Sequence, residues 1–318
     1  MLCNICPRKC NVDRKIQKGF CGMGEKPVVA RAFPHMWEEP CISGTEGSGA
    51  VFFSGCNLKC IFCQNHEISH GGHGKELTAE ELAGVFLSLA GKGVHNINLV
   101  TPSHFVPAIK EALDIAKGPG SAGRRGSAEP GCLVNCTDSL SARRPADPGR
   151  LSIPVVYNTN GYDSVETLRL LEGLVDIYLP DLKYVSPEVS MEYSGARDYF
   201  ETASKAVLEM YRQVGDPVFG GDRMMQKGVI VRHLVLPGHI GETSRVLDWI
   251  AENLGGHVYV SLMSQYLPCY KACGHPVLGR RLTRYEYEKT IKKFKKLGLN
   301  GYVQERESAS DKFIPDFS

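Results

Sequence analysis

Six apolar runs, most followed by a helix-periodic stretch, set the order of this chain. Ala50–Phe53, Asn96–Val100, Val155–Asn158, Asp176–Leu179, Val229–Leu236 and Val258–Leu262 read as strands. Helices are expected over Phe105–Ala116, near Phe200–Val214 and over Glu242–Leu254, with Asp163 or Ser164 capping another after the third strand. Two more open on capping boxes: Thr78-Ala79-Glu80-Glu81, running to about Ala90, and Thr283-Arg284-Tyr285-Glu286. In such a box the threonine and the glutamate satisfy amide groups that the first helical turn leaves free. Strands separated by helices need crossover connections, which make the sheet parallel and the fold class α/β. Loops leaving the C-terminal ends of the strands then carry the active site.

The first of those loops carries the most specific chemical signal. Ala50–Phe53 runs straight into Ser54-Gly55-Cys56-Asn57-Leu58-Lys59-Cys60-Ile61-Phe62-Cys63, three cysteines spaced C-x3-C-x2-C. Three thiolates on one tight loop can wrap one side of a 4Fe–4S cube and leave its fourth iron open, since such clusters normally take four. The rival is zinc, with Cys41 or His66 as a fourth ligand, although zinc ribbons favour paired C-x2-C spacing. Cys3, Cys6, Cys10 and Cys21 form a second group near the N-terminus. Four thiolates there suit a structural zinc knot or an auxiliary iron–sulfur cluster, and four free thiols are the remaining reading. Residues 1–45 are therefore taken as a short Cys-rich N-terminal extension and 46–318 as the main domain. Cys41, standing alone, reads as a buried or loop thiol.

Twelve cysteines without a basic-then-apolar leader point to a reducing, cytoplasmic setting and to metal sites rather than disulfides. A formal net charge of +2, with both signs mixed along the chain, gives no footprint for nucleic acid or a membrane surface. No apolar run approaches the ~20 residues of a membrane span. Gly118–Arg150, rich in Gly, Ser, Pro, Ala and Arg, reads as a long flexible insertion in which Cys132 and Cys136 are surface thiols. His66–His73, with Gly71, Gly72 and Gly74, reads as a surface loop rather than a source of ligands.

The Cys56–Cys63 loop, with aromatic Phe62 before its last cysteine, resembles the signature of the radical S-adenosylmethionine (radical SAM) superfamily. That resemblance implies a partial, open (β/α)6 barrel with a 4Fe–4S cluster after the first strand. It also implies that S-adenosylmethionine (SAM) chelates the fourth iron through its amino and carboxylate groups. Thr159-Asn160-Gly161, Asp181-Leu182-Lys183 and Arg232 with Pro237-Gly238 further resemble the pyruvate formate-lyase-activating enzymes. The SAM contacts implied are Asn158 and Asn160 after the third strand, Asp181 and Lys183 after the fourth, and Arg232 on the fifth. An Asn-Gly turn and a surface ion pair are the plain readings of the first two motifs. The Gly-Gly-Glu motif that receives the SAM amino group in many relatives is replaced by Thr101-Pro102-Ser103-His104, so Thr101, Ser103 or His104 stands in for it. Ser264, Gln265 and Tyr266 are expected at the barrel mouth, Met263 in the core, and His233 and His239 as structural groups. Cys269 and Cys273 are given no role.

The function implied is reductive cleavage of SAM to a 5′-deoxyadenosyl radical that abstracts hydrogen from a glycyl-radical protein. Modification of a small molecule or peptide is the alternative within the family. A redox sensor or scaffold is the alternative outside catalysis. An electron donor such as flavodoxin or ferredoxin is the other partner implied.

Overall fold

A computed structural model of the chain describes residues 2–118 and 149–304. The expected insertion, with Cys132 and Cys136, lies outside the described residues except at its two ends. The first elements are β1 (Val28–His35), α1 (Pro40–Ser43), β2 (Ser48–Phe53), α2 (His66–Gly71), β3 (Lys75–Glu76), α3 (Ala79–Gly91), β4 (Ile97–Val100) and α4 (Val106–Lys117). Then come β5 (Val155–Thr159), α5 (Val165–Arg169), β6 (Ile177–Pro180), α6 (Pro187–Ser194), α7 (Tyr199–Val214) and β7 (Val218–Phe219). The remainder is β8 (Met225–Leu234), α8 (Ile240–Asn253), β9 (Tyr259–Met263), α9 (Arg284–Lys296) and β10 (Gly301–Val303).

The sheet runs β10-β9-β8-β6-β5-β4-β2-β1-β3, with β7 attached to β8. Along that order every neighbour from β2 to β10 is parallel, whereas β7 is antiparallel to β8 and β1 to both β2 and β3. The six expected strands thus lie side by side in sequence order, as an open (β/α)6 half-barrel of mixed α/β class.

Period-two alternation divides each strand between two environments. Val155 and Tyr157, Tyr178, and Val229 and Val231 point outward into the main core beneath the helices. Val156, Ile177, Leu179 and Ile230 point inward and pack on Cys41 and Ile42 of α1, so this short helix plugs the base of the half-barrel. The next inward positions are Asn158, Asp181, Arg232 and Ser261, which line a cavity instead. Apolar at the base and polar at the mouth, one strand face builds both floor and site.

Both capping boxes form. Thr78 Oγ1 accepts from Glu81 N–H and Glu81 from Thr78 N–H, at 3.2 and 2.9 Å, and Thr283 and Glu286 repeat both bonds. Ser164 stands at the α5 N-cap but turns its hydroxyl to Thr167 and to the Ile5 carbonyl. Three segments differ from expectation. His66–Gly71 is a helix rather than a loop, closed by glycine at its left-handed C-cap, Gly72. β1 and α1 join the sheet and the core, so the boundary expected near residue 45 falls between two paired strands. α6 precedes α7, opened by Pro187 at its first turn and closed by left-handed Gly195. Among the described residues no helix is long and apolar enough to cross a membrane.

Candidate active site

The cavity at the strands' C-terminal ends has a volume of about 350 Å³, within the range of small-molecule sites. Cys56, Cys60 and Cys63 line one wall. Their loop is held in shape from several sides. Gly55 has φ +81°, and a side chain there would meet the Cys21 carbonyl at 2.7 Å, so only glycine fits. Lys59 is also left-handed. Arg8, between Cys6 and Cys10, donates to Asn57 O at 2.7 Å and to Gly195 O at 2.6 Å, clamping the loop to the end of α6. Burial pushes the Cys60 thiol up to about 11 and Cys63 to about 12, so both are protonated until a metal displaces the proton. Among the described residues no fourth cysteine lines the cavity. Three sulfurs on one wall, each beside a hydrogen-bond donor, fit a cluster with one iron left for a ligand in the cavity.

Beside the sulfurs lie the ends of β5 and β6. Asn160 donates from Nδ2 to Asn57 Oδ1 at 2.7 Å and to Cys56 Sγ at 3.4 Å, while its Oδ1 accepts from Tyr162 N–H. Its amide is thus tied to the cysteine loop rather than turned to a ligand. Gly161 (φ +82°) lies so close to the β6 loop that a Cβ would come within 2.1 Å of Asp181 O. Tyr199 bolts the two loops together, its hydroxyl meeting Asn160 O and Asp181 O at 2.9 Å each and Lys183 N at 3.1 Å. No sequence motif marks Tyr199. Asp181 and Lys183 form an ion pair at the cavity wall. Burial opposes the charge on Lys183, but Asp181 outweighs it and its pKa is raised. Thr101, a β-branched residue held at φ +60°, and Gln265 also line the cavity. Strain of that kind collects at functional sites.

The floor was not legible in the sequence. Glu38 and Glu39, between β1 and α1, reach across to Arg232 on β8, and both carboxylates pair with its guanidinium. Asn98 Nδ2 donates to Glu38 at 2.8 Å, and Arg232 Nη1 to Asn158 Oδ1 at 3.3 Å. Burial alone would weaken the charge on Arg232, but the two carboxylates hold its pKa well above the ordinary value. Glu39 accepts from the Nε–Nη2 edge of Arg232, the residue expected to make a bidentate contact to a SAM carboxylate.

Other expectations shift as well. Ser103 is buried away from the cavity, 3.1 Å from Thr159 Oγ1, because the turn after β4 folds it into the core. His104 is buried too, on the Ser54 carbonyl at 2.8 Å. Ser264 and Tyr266 are buried, with Tyr266 donating to Leu278 O, whereas Met263 lines the cavity. His233 and His239 are structural, on Leu182 O with Thr243, and on Tyr193. Cys269 donates to Phe62 O behind the cysteine loop, and Cys273 is exposed. Burial pushes the Cys6 thiol up to about 12, with Cys10, Cys21 and Cys3 adding to it, so the N-terminal four sit near one another. Among the described residues no three His, Cys, Asp or Glu side chains, at this group or at the Cys56–Cys63 loop, are placed to hold a single metal ion. Neither zinc nor an auxiliary cluster is assigned to that group.

A model of the radical SAM superfamily matches residues 50–250, and the chain belongs to that superfamily. An uncharacterized protein of Methanocaldococcus jannaschii is 31% identical over 299 residues, 94% of this chain and 75% of its own length. A radical SAM methyltransferase from Sphaerobacter thermophilus shares the fold, with a TM-score of 0.50 at 13% identity over 80% of this chain and 65% of its own. A domain of pyruvate-formate lyase-activating enzyme from Bacteroides vulgatus, at 14% identity and a TM-score of 0.35 over 48% of this chain and 82% of its own, is too distant to bear on the reaction. The superfamily implies a 4Fe–4S cluster and SAM.

Proposed function

We propose that Cys56, Cys60 and Cys63 hold the cluster and that the cavity beside them binds SAM for reductive cleavage. When bound and reduced, the cluster supplies one electron that splits SAM into methionine and a 5′-deoxyadenosyl radical able to abstract hydrogen. The protein's own residues bind, orient and exclude water. Lys183, partly buried and charged beside Asp181, offers a cation to a carboxylate, and Asp181 an acceptor to hydroxyl or ammonium groups. Thr101 and Gln265 add polar contacts on the rim, and the α1 plug closes the base against solvent. The observation that carries this reading is the single cavity shared by the three cysteines, Asp181 and Lys183.

For the substrate we favour a glycine in a protein partner, on the likeness of Thr159-Asn160-Gly161 and Asp181-Leu182-Lys183 to the activating enzymes. The test is 5′-deoxyadenosine formation by anaerobically reconstituted, dithionite-reduced protein given SAM, beside Cys60→Ala. Turnover in the wild type and none in the variant is expected. A loaded 4Fe–4S cluster with no product in either sinks the cleavage reading. A glycyl radical seen by EPR on an added partner protein carries the substrate assignment.

A further inference from the structure

Each sulfur of the cysteine loop has one side-chain partner, and each partner comes from a different element. Ser194, the last residue of α6, places Oγ 2.9 Å from Cys60 Sγ. Ser69 on α2 places Oγ 3.3 Å from Cys63 Sγ, and Asn160 approaches Cys56 as described. With a protonated thiol either atom of a serine–cysteine pair can donate. A sulfur bound to iron has no proton, so the hydroxyl must be the donor. A serine has one proton to give. Once it is committed to sulfur, the oxygen can only accept from its second neighbour.

Those neighbours are in place. Tyr184 OH lies 3.0 Å from Ser194 Oγ, and His70 Nδ1 lies 2.8 Å from Ser69 Oγ. Tyr184 and Ser194 are both buried, so no water competes for either hydroxyl. Two directed relays follow: Tyr184 to Ser194 to Cys60, and His70, carrying its proton on Nδ1, to Ser69 to Cys63. Arg8 fixes the first by holding the carbonyls of Ser194 and Gly195.

We propose that these two relays raise the reduction potential of the cluster, which makes Tyr184, Ser194 and Ser69 positioning residues for electron entry. The proposal rests on the reading that Cys56, Cys60 and Cys63 are the cluster ligands. Reduction adds one negative charge, shared with the sulfurs, and a donor aimed at a sulfur stabilises that state more than the oxidised one. In a buried, low-dielectric wall the difference is felt in full.

Wild-type protein, Ser194→Ala, Tyr184→Phe, Ser69→Ala and a control, Tyr193→Phe, would be reconstituted anaerobically. The signal titrated against potential by EPR is the one that changes when SAM is added, which singles out the cluster at this loop. Tyr193 packs edge-on against Tyr184 but its hydroxyl bonds to His239, so Tyr193→Phe removes a neighbouring hydroxyl without touching a relay. We expect Ser194→Ala to shift the oxidised-to-reduced ratio at fixed potential by roughly tenfold toward oxidised, about 59 mV more negative for one electron. Tyr184→Phe and Ser69→Ala shift the same way, Tyr184→Phe by less, and Tyr193→Phe stays at the wild-type value. Equal midpoints in all five proteins, or a Tyr193→Phe shift as large as that of Ser194→Ala, overturn the relays and leave the cluster assignment standing. Failure of the wild type to give any SAM-responsive cluster signal overturns the cluster assignment and the relays with it.

Discussion

Arg232 shows how a residue can be found for one reason and kept for another. Its position on an inward strand face is readable from the alternation Ile230-x-Arg232-x-Leu234, and a lone arginine there suggests a free cation. The partners come from Glu38 and Glu39, about two hundred residues earlier, in a segment with no periodic signal. Glu39 is 7% and Glu38 little more exposed, so these charges depend on one another. Removing the arginine of such a buried triad strands both carboxylates, whereas removing a carboxylate with it is milder. Arg232→Met should therefore cost roughly 3–5 kcal/mol of unfolding free energy, read as a drop in the urea midpoint. Adding Glu39→Gln to that variant should recover a good part of the loss. A double variant no more stable than Arg232→Met alone would mean the carboxylate was never the stranded charge.

Local rules served well wherever an element is specified by its own residues. Thr78 with Glu81 and Thr283 with Glu286 start α3 and α9 where the capping boxes stand. The strand ends delivered Asn160, Asp181, Lys183 and the three cysteines to one cavity. What stayed hidden was contact between distant segments: Tyr199 bolting two loops, Arg8 clamping a third, and α1 plugging the barrel with only four residues. The two capping boxes make the distinction measurable. Glu81 is exposed and serves its own helix, while Glu286 is buried and also accepts from Gly238 N–H at 2.7 Å and from Arg280. Thr78→Ala should cost about 1 kcal/mol, the ordinary value of a lost cap. Glu286→Ala should cost roughly 2 kcal/mol, because it also removes the bonds from the Gly238 amide and from Arg280. Equal losses by urea unfolding would show that Glu286 acts only on its own helix.

Across the whole molecule, the half-barrel leaves polar loops pressed onto an apolar core, and two buried histidines stitch the join. His104 reaches the Ser54 carbonyl just before the cysteine loop, and His233 links Leu182, between Asp181 and Lys183, to Thr243 on α8. Each is 1% exposed, and burial lowers each pKa to about 4. An unfolded histidine titrates near 6.5, so the unfolded chain binds protons first as pH falls. The contribution of both histidines is therefore complete above pH ~6.5, declines between ~6.5 and ~4, and is spent below ~4. By pH 5 each histidine should have withdrawn about 2 kcal/mol, a slope in a range where most carboxylates are still ionised. Urea unfolding at pH 7.5 and pH 5 measures the fall directly, and His233→Gln should reduce it by about 2 kcal/mol. A fall of the same size in that variant would place the acid sensitivity elsewhere. Protonating His233 puts the new proton on Nε2, where the neutral ring accepts from Thr243 Oγ1, and leaves the Nδ1–H bond to Leu182 O, beside Asp181 and Lys183, intact. SAM binding by the folded protein should therefore hold steady through the window in which stability declines and change only near pH 4, where the folded histidines themselves take up protons.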